Sequence, residues 1–241
     1  MNKPDTKPGR LTQTLIRMFV KHARVTQVET VAAGFRSIAL ESAAFKGVVW
    51  TPGQKLQVLM GSAFVARTFT PMEWDPVAGR TRFLGYAHGT GPASNWLRNL
   101  SPEDECDVFG PRASLDLGQA AGKRVLLGDE TSIGLFGALA RHAPGEPAHC
   151  LLEVDSVATA TSVLAHFGLT RVALFERAEN DAHLQEMEQR LPPLVADGAT
   201  FVLTGKASSI QRLRHALRAQ GVPASRLMTR AYWAPGKTGL D

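Results

Sequence analysis

A tetrapeptide in the first third of the chain combines groups that suit a phosphate-bearing ring ligand. Residues 67–70 read Arg-Thr-Phe-Thr. The Arg67 guanidinium is a rigid fork that matches phosphate, Phe69 offers a flat face to a ring, and Thr70 can hydrogen-bond a ring edge. A flavin dinucleotide has both a pyrophosphate and such a ring. Taken alone, the tetrapeptide favours a simpler structure, an edge strand with an exposed Arg67 and a core Phe69.

The next segment, residues 88–96, has the composition of an anion-binding turn. It reads His-Gly-Thr-Gly-Pro-Ala-Ser-Asn-Trp. Gly89 and Gly91 permit close backbone approach, and Pro92 suits the first turn of a helix. Free amides at a helix start bind anions, so a pyrophosphate fits here. The alternative is a strand-to-helix turn with a structural His88 and a core Trp96, and the residues leave both interpretations open.

Two further segments follow predicted strands in the second half of the chain. Residues 128–132 read Gly-Asp-Glu-Thr-Ser, and residues 204–207 read Thr-Gly-Lys-Ala. In parallel sheets, ligands bind outside the carboxyl ends of the strands. Asp129 and Glu130 could therefore contact a ligand, or they could cap the following helix together with Thr131.

The pattern of apolar residues changes near residue 120. Before it, short β-rich segments predict an antiparallel barrel or sandwich. After it, strands and helices alternate and predict a parallel sheet with crossover helices. We therefore expect an N-terminal β-barrel (1–118), a linker at 111–122 and a C-terminal α/β domain (119–241), a pair typical of a two-cofactor enzyme. The predicted strands are 25–32, 35–41, 55–60, 65–70, 80–88, 124–128, 149–154, 171–175 and 199–205; the predicted helices are 11–22, 93–99, 131–141, 157–166, 181–191 and 208–220.

Composition and charge narrow the function classes. The chain has 241 residues, 44% of them hydrophobic and 20% charged, which predicts a folded core. Neither a membrane span nor a nucleic-acid motif is apparent, and the histidines and the two cysteines show no metal-ligand spacing, so we expect a cytoplasmic protein without a bound metal. Positive charge is concentrated at both ends, with six basic and one acidic residue in 1–25 and seven and one in 200–241. If these ends meet, they attract an anionic ligand.

The order and spacing of these motifs resemble the siderophore-interacting proteins, a family of ferredoxin reductase-like flavoproteins. The resemblance rests on residues 67–70, on the His-Gly-x-Gly-Pro-Ala segment with Trp96, and on Gly-Asp-Glu-Thr at 128–131. Gly205 before the last long helix and the pair Tyr232-Trp233 agree as well. The resemblance extends from about residue 25 to residue 236.

The resemblance implies a barrel that holds FAD and an α/β domain that binds NADPH or NADH. Arg67 would contact the pyrophosphate, Phe69 the isoalloxazine ring and Thr70 its N5 edge, and the flavin rather than a side chain would carry the chemistry. The substrate would be an iron(III)–siderophore complex bound at a rim containing Arg230 and Lys237, with a ferredoxin as a further candidate donor. The other cofactor-binding residues that it implies are Thr68, His88, Gly89, Gly91, Pro92, Ala93, Ser94, Trp96, Gly128, Asp129, Glu130, Thr131, Gly205, Tyr232 and Trp233.

Three other functions fit the same two domains. The first is a reductase of free flavin, a quinone or a protein acceptor. The second is a siderophore-binding protein without redox turnover, and the third is a nucleotide-dependent regulator. Acceptor preference, chelate binding without NAD(P)H oxidation, and a specific macromolecular partner would respectively distinguish them.

Overall fold

An antiparallel sheet forms the first part of the fold. The computed structural model describes residues 20–60, 62–117, 122–142 and 149–237. Seven strands lie in the order β4-β3-β7-β1-β2-β6-β5, and each neighbouring pair is antiparallel. The strands are β1 (Val20–Ala32), β2 (Phe35–Glu41), β3 (Lys55–Met60), β4 (Ser62–Phe69), β5 (Pro71–Asp75), β6 (Arg80–Tyr86) and β7 (Glu105–Arg112).

The expected barrel is present as an open sheet. In the described segments no ladder joins the two edge strands, β4 and β5. The chain instead passes from β4 directly into β5 through Thr70, so the two edges are connected by the backbone itself.

The start of the sheet also differs from the sequence prediction. Of the helix expected at 11–22, residues 11–19 lie outside the described part, and Val20 to His22 begin β1. His22 pairs with Asp107 of β7, and its Nδ1 lies 3.0 Å from the Asp107 carboxylate. Pairing with a distant strand overrides the local helical pattern here.

A five-stranded parallel sheet follows, in the order β10-β9-β8-β11-β12. Leu126 of β8 packs into the core on one face, and its neighbours Val125 and Leu127 pack into the core on the other, as expected for a sheet covered on both sides. The strands are β8 (Arg124–Asp129), β9 (His149–Val154), β10 (Val172–Glu176), β11 (Thr200–Lys206) and β12 (Leu227–Trp233).

Helices connect these strands and cover the parallel sheet. The single helix expected at 181–191 is two, because the first ends at Gln189 and a second begins at Leu191, with Pro192 in its first turn. No helix of the described segments has the length and apolar character needed to cross a membrane. The helices are α1 (Pro92–Asn99), α2 (Ile133–His142), α3 (Val157–His166), α4 (Ala182–Gln189), α5 (Leu191–Ala196) and α6 (Ala207–Ala219), with 3₁₀ turns at Ala43–Phe45, Glu130–Ser132 and Ala224–Arg226.

The two sheets meet through α2, which packs against β5. Two glycines on this helix allow the close approach: a Cβ at Gly137 would lie 2.4 Å from Cε of Met72, and one at Gly134 would lie 3.3 Å from the Thr70 carbonyl oxygen. An ion pair at 2.9 Å between Arg141 and Glu73 borders the contact. The antiparallel and parallel sheets expected from the sequence are both present, and α2 joins them.

Candidate functional site

A cleft of about 440 Å³ opens where the two sheets meet. This volume is within the range of small-molecule sites. The cleft is lined by the end of β4, the start of α1, the turn after β8 and the end of β12. Most predicted site residues line it, namely Arg67, Thr68, Phe69, Thr70, His88, Gly91, Pro92, Ala93, Ser94, Thr131, Arg230, Tyr232, Trp233 and Lys237.

The start of α1 is arranged to receive an anion. Gly91 is the N-cap, has no side-chain cap, and precedes Pro92 at the first helical position. The preceding loop is fixed by Ser94, whose hydroxyl donates to the His88 carbonyl at 2.5 Å, and by Arg98, which donates to the Gly89 carbonyl at 2.5 Å. A Cβ at Gly91 would meet no atom within 4 Å. Amides that no side chain caps beside open space fit a pyrophosphate group.

Phe69 forms a supported flat wall of the cleft. Its ring stacks on Phe83, with centroids 4.5 Å apart and an interplanar angle of 26°. Trp96 lies 6.0 Å from the same ring, so this predicted site residue supports Phe69 from outside the cleft lining. Arg67, two residues earlier on β4, is half-buried, and its Nη1 donates to the Ala66 carbonyl at 2.7 Å. A fixed ring beside a guanidinium fits the two halves of a flavin cofactor.

The last strand supplies the opposite side of the cleft. The hydroxyls of Tyr232 and Thr70 lie 3.5 Å apart, and burial raises the pKa of Tyr232 to about 12. The Trp233 ring lies 5.8 Å from the ring of His88. Its Nε1 donates to Oδ2 of Asp129 at 2.7 Å. Both predicted aromatic residues therefore lie at the cleft and contact the antiparallel half, and Trp233 also contacts the parallel half through Asp129.

The Gly-Asp-Glu-Thr turn is packed mainly against the protein itself. Asp129 caps the turn, because its Oδ1 accepts from the Thr131 amide at 2.9 Å and from the Thr131 hydroxyl. Burial raises the pKa of Asp129 to about 6 despite these bonds. A Cβ at Gly205 would lie 2.4 Å from the Asp129 carboxylate, and one at Gly128 2.3 Å from Oγ of Ser132. In this structure the room over both glycines holds neighbouring side chains.

Glu130 belongs to a buried ionic network. Only 4% of it is exposed, and it accepts bonds from Nη2 of Arg177 at 2.7 Å and from the Asp155 amide at 2.6 Å. Burial alone would lower the pKa of Arg177, but the bond and charge of Glu130 and further carboxylates raise it. Glu153 lies 3.5 Å from Arg177 and 3.0 Å from the buried His183.

The same network reaches the antiparallel sheet through Tyr86. The Tyr86 hydroxyl donates to Oδ2 of Asp155 at 2.9 Å, and its ring stacks between those of Phe35 and His88. Tyr86 lines the cleft and was not identified from the sequence. The sequence did contain a signal for the ionic network that Tyr86 joins. A charged residue directly follows each of the strands β8, β9 and β10, and these three positions meet at one sheet edge.

The charge of the cleft is of one sign. Its charged lining residues in the described segments are Lys55, Arg67, Arg230 and Lys237, and no carboxylate is among them. Lys55 lies at the start of β3, is 8% exposed, and was also not identified from the sequence. Four basic groups around one cleft favour an anionic ligand.

The second half of the sequence matches a known protein family. Residues 121–236 match the family model described as siderophore-interacting protein. This part of the chain belongs to the siderophore-interacting protein family. The siderophore-interacting protein domain thus includes the parallel sheet, the turn after β8 and the C-terminal side of the cleft.

Individual relatives extend the likeness over the whole molecule. The chain is 23% identical to the NADPH-dependent ferric-chelate reductase of Escherichia coli K12, over 97% of this chain and 99% of that protein. The siderophore-interacting protein SipS from Aeromonas hydrophila is structurally similar (TM-score 0.73, 21% identity, 90% and 92% of the two chains). So is the FAD apo form of the ferredoxin reductase in carbazole 1,9a-dioxygenase (TM-score 0.73, 17% identity, 89% and 67%).

Proposed function

We propose that the chain is an FAD-dependent oxidoreductase that uses NADPH or NADH to reduce iron(III)–siderophore complexes and release iron(II). The observation that carries the proposal is the basic cleft between the sheets, on which residues 67–70, the uncapped start of α1 and the C-terminal aromatic residues converge. The names of the curated relative and of the structural relatives support the same reaction class. The domain limits 1–118 and 119–241 are part of this proposal.

The residues of the antiparallel half would hold the FAD. Arg67 and the α1 amides would bind its pyrophosphate, and Phe69, supported by Phe83, would hold the isoalloxazine ring flat. Thr70 is placed to bond the ring edge once its contact with Tyr232 is exchanged. When bound, FAD supplies the ability to accept two electrons from a nicotinamide and deliver them singly.

The residues of the parallel half would orient the nicotinamide donor at the carboxyl ends of β8 and β11. Thr131 is the residue of the Gly-Asp-Glu-Thr turn that lines the cleft, so it is the one placed to touch a ligand there. Asp129 and Glu130 act behind it, as the cap of the turn and as the partner of Arg177. The indole of Trp233 and the phenol of Tyr232 line the cleft on this side and would shield a bound cofactor from water.

The acceptor would bind at the basic rim, which contains Arg230 and Lys237. Oxidation of one NAD(P)H supplies two electrons and releases one proton, and two iron(III) ions become two iron(II) ions. Iron(II) binds hard oxygen donors less tightly than iron(III), so the reduced metal leaves the chelate.

The test is anaerobic reduction followed by acceptor addition. The purified protein reconstituted with FAD should lose its flavin absorbance on addition of NADPH or NADH. An iron(III) chelate and a chromogenic iron(II) chelator should then yield about two iron(II) per NAD(P)H. Chelate binding without NAD(P)H oxidation would favour the binding-protein alternative. Faster oxidation by a quinone or a ferredoxin than by any iron(III) chelate would favour the other reductases.

Exposed Lys237 provides a test of the rim. We expect Lys237→Glu to lower kcat/KM for an anionic iron(III) chelate by about 3- to 10-fold at low salt, because charge at a cleft mouth raises the encounter rate. The difference should shrink at high salt, where the charge is screened. Lys46→Glu makes the same change at an exposed site outside the cleft lining and should have little effect. A salt-independent loss would remove Lys237 from the rim.

Substitutions at Gly91 can distinguish an effect on FAD binding from an effect on fold stability. Gly91→Asp places a good N-cap on α1 in open space, so the thermal midpoint should stay the same or rise. The added carboxylate would repel a pyrophosphate, and the FAD dissociation constant should rise by about 10-fold or more. Gly91→Asn, the uncharged counterpart, should weaken binding less. Equal FAD affinity in the wild type and both variants would place the pyrophosphate elsewhere.

A further inference from the structure

One carboxylate connects the turn after β8 with the end of β12. Oδ1 of Asp129 accepts from the amide and the hydroxyl of Thr131, and its Oδ2 accepts from Nε1 of Trp233 at 2.7 Å. Asp129 and Trp233 are 104 residues apart in the chain. Thr131 and Trp233 both line the cleft, whereas Asp129 lies behind it. Asp129 therefore joins two parts of the cleft lining that β11 separates in the sheet.

The position of this carboxylate is fixed by its surroundings. Asp129 is fully buried. It fills the space over Gly205, whose φ of +103° and missing Cβ allow the carboxylate to lie against the β11 backbone. A carboxylate packed in this way gives its hydrogen-bond partners a defined position relative to the turn and to β11.

Trp233 in turn belongs to a segment that forms one side of the cleft. Residues 230–237, here called the C-terminal wall, all line the cleft and include Arg230 and Lys237. β12 is the edge strand of its sheet and pairs with β11, and the pairing ends at Trp233. The bond to Asp129 is thus a contact at the point where the wall leaves the sheet.

We infer that Asp129 is a positioning residue that sets the C-terminal wall through Trp233 and so couples the turn at residues 129–131 to the acceptor side of the cleft. The effect on turnover rests on the proposed function, whereas the position of the wall does not. Movement of the turn when a ligand contacts Thr131 would be transmitted to Arg230 and Lys237 through a single carboxylate.

Two substitutions remove the connection, one from each end. Asp129→Asn replaces one acceptor oxygen by an amide group, so the side chain can no longer accept from both Thr131 and Trp233. Trp233→Phe keeps an aromatic ring and removes the donor. Because both changes act on one bond, the double variant should behave like the more affected single variant. Asp197→Asn, at an exposed residue paired with Lys123, is the matched control.

The first measurement is tryptophan fluorescence of the protein without FAD. The difference between wild-type and Trp233→Phe emission reports Trp233. Because burial raises the pKa of Asp129 to about 6, this difference should change between pH 5 and 7, as the bond gains charge assistance on ionisation. Charged or titratable groups that face Asp129 are Glu130, Arg177 and Tyr232. His88, beside the indole, is tested with His88→Gln.

The expected result is a transition that persists in His88→Gln and Asp197→Asn and is absent in Asp129→Asn. A transition retained in Asp129→Asn, or lost in His88→Gln, would overturn the inference. Thermal unfolding at pH 7.5 verifies that each variant is folded. This measurement needs no cofactor or substrate, so it decides the position of the wall even if the chain reduces no iron.

The second measurement is the KM for iron(III)–EDTA in the FAD-loaded protein. Asp129→Asn and Trp233→Phe should each raise this KM by about 5-fold, with a smaller change in kcat, since the wall binds the acceptor. The double variant should show no further increase. Additive increases would mean that the two residues act independently, contrary to the inference. A positive fluorescence result with no chelate reduction by the wild type would contradict the proposed function alone.

Discussion

Arg67→Ala is expected to weaken FAD binding by about 10- to 100-fold while leaving the fold intact. The guanidinium lines the cleft and donates to the carbonyl of the adjacent Ala66, so within the described segments its loss breaks no long-range side-chain hydrogen bond. Hydrogen bonds to a charged group contribute about 1.5–3 kcal/mol, which corresponds to this range of affinity. Fluorescence quenching of added FAD by the apoprotein would measure the dissociation constant.

Arg212→Ala is the control for this prediction. Arg212 lies on α6 and bonds Glu188 at 2.7 Å, outside the cleft lining. Its removal should leave FAD affinity unchanged. If Arg67→Ala also binds FAD like the wild type, the phosphates are held by other residues, and Lys55 is the next to test because it lines the same cleft.

Arg177→Ala should lower the free energy of unfolding by about 3–5 kcal/mol. This arginine lies between three carboxylates, two of which, Glu130 and Glu153, have side chains only 4% and 2% exposed. Removing one partner of a buried ion pair leaves uncompensated charge in a poorly solvated site. Denaturant unfolding followed by circular dichroism would measure the change.

Arg80→Ala tests whether this loss is specific to the buried network. Arg80 pairs with Glu41 at 2.7 Å on the antiparallel sheet, and its side chain is 61% exposed. Exposed ion pairs contribute little, so the variant should unfold almost like the wild type. A double change of Glu130 and Arg177 to Gln and Met should recover part of the loss, because it removes charge from both sides. No recovery would indicate that packing, rather than charge, explains the effect.

The parallel half was the more predictable part of the fold. Its strands are continuous apolar runs alternating with amphipathic helices, and the predicted strand at 149–154 has the observed bounds. In the antiparallel half the predicted strands at 35–41 and 55–60 also have the observed bounds, but β5 and β7 were not predicted. This half depends on pairing between distant residues, which local pattern does not encode. The start of β1 at Val20, where a helix was expected, illustrates this, because its partner is residue 109.

The candidate site shows a similar division. Residues 67–70 and 91–94 carry their chemistry in a short motif, and the structure brings both to one cleft. Glu130 stands in the equally recognisable Gly-Asp-Glu-Thr motif, but its role depends on Arg177, 47 residues away. Which group faces the cleft and which supports it follows from packing across the sheet edge. That distinction could not be obtained from residue spacing.

The two glycines of α2 have a consequence for how ligands enter. Met72 and the Thr70 backbone pack against α2 at its two glycines, where the helix has no side chains, so the two halves interlock. A hinge motion that separates the two halves would first have to withdraw the Met72 side chain from its position against Gly137. Ligand entry should therefore depend on small displacements of residues 234–237 in the cleft lining rather than on separation of the two halves.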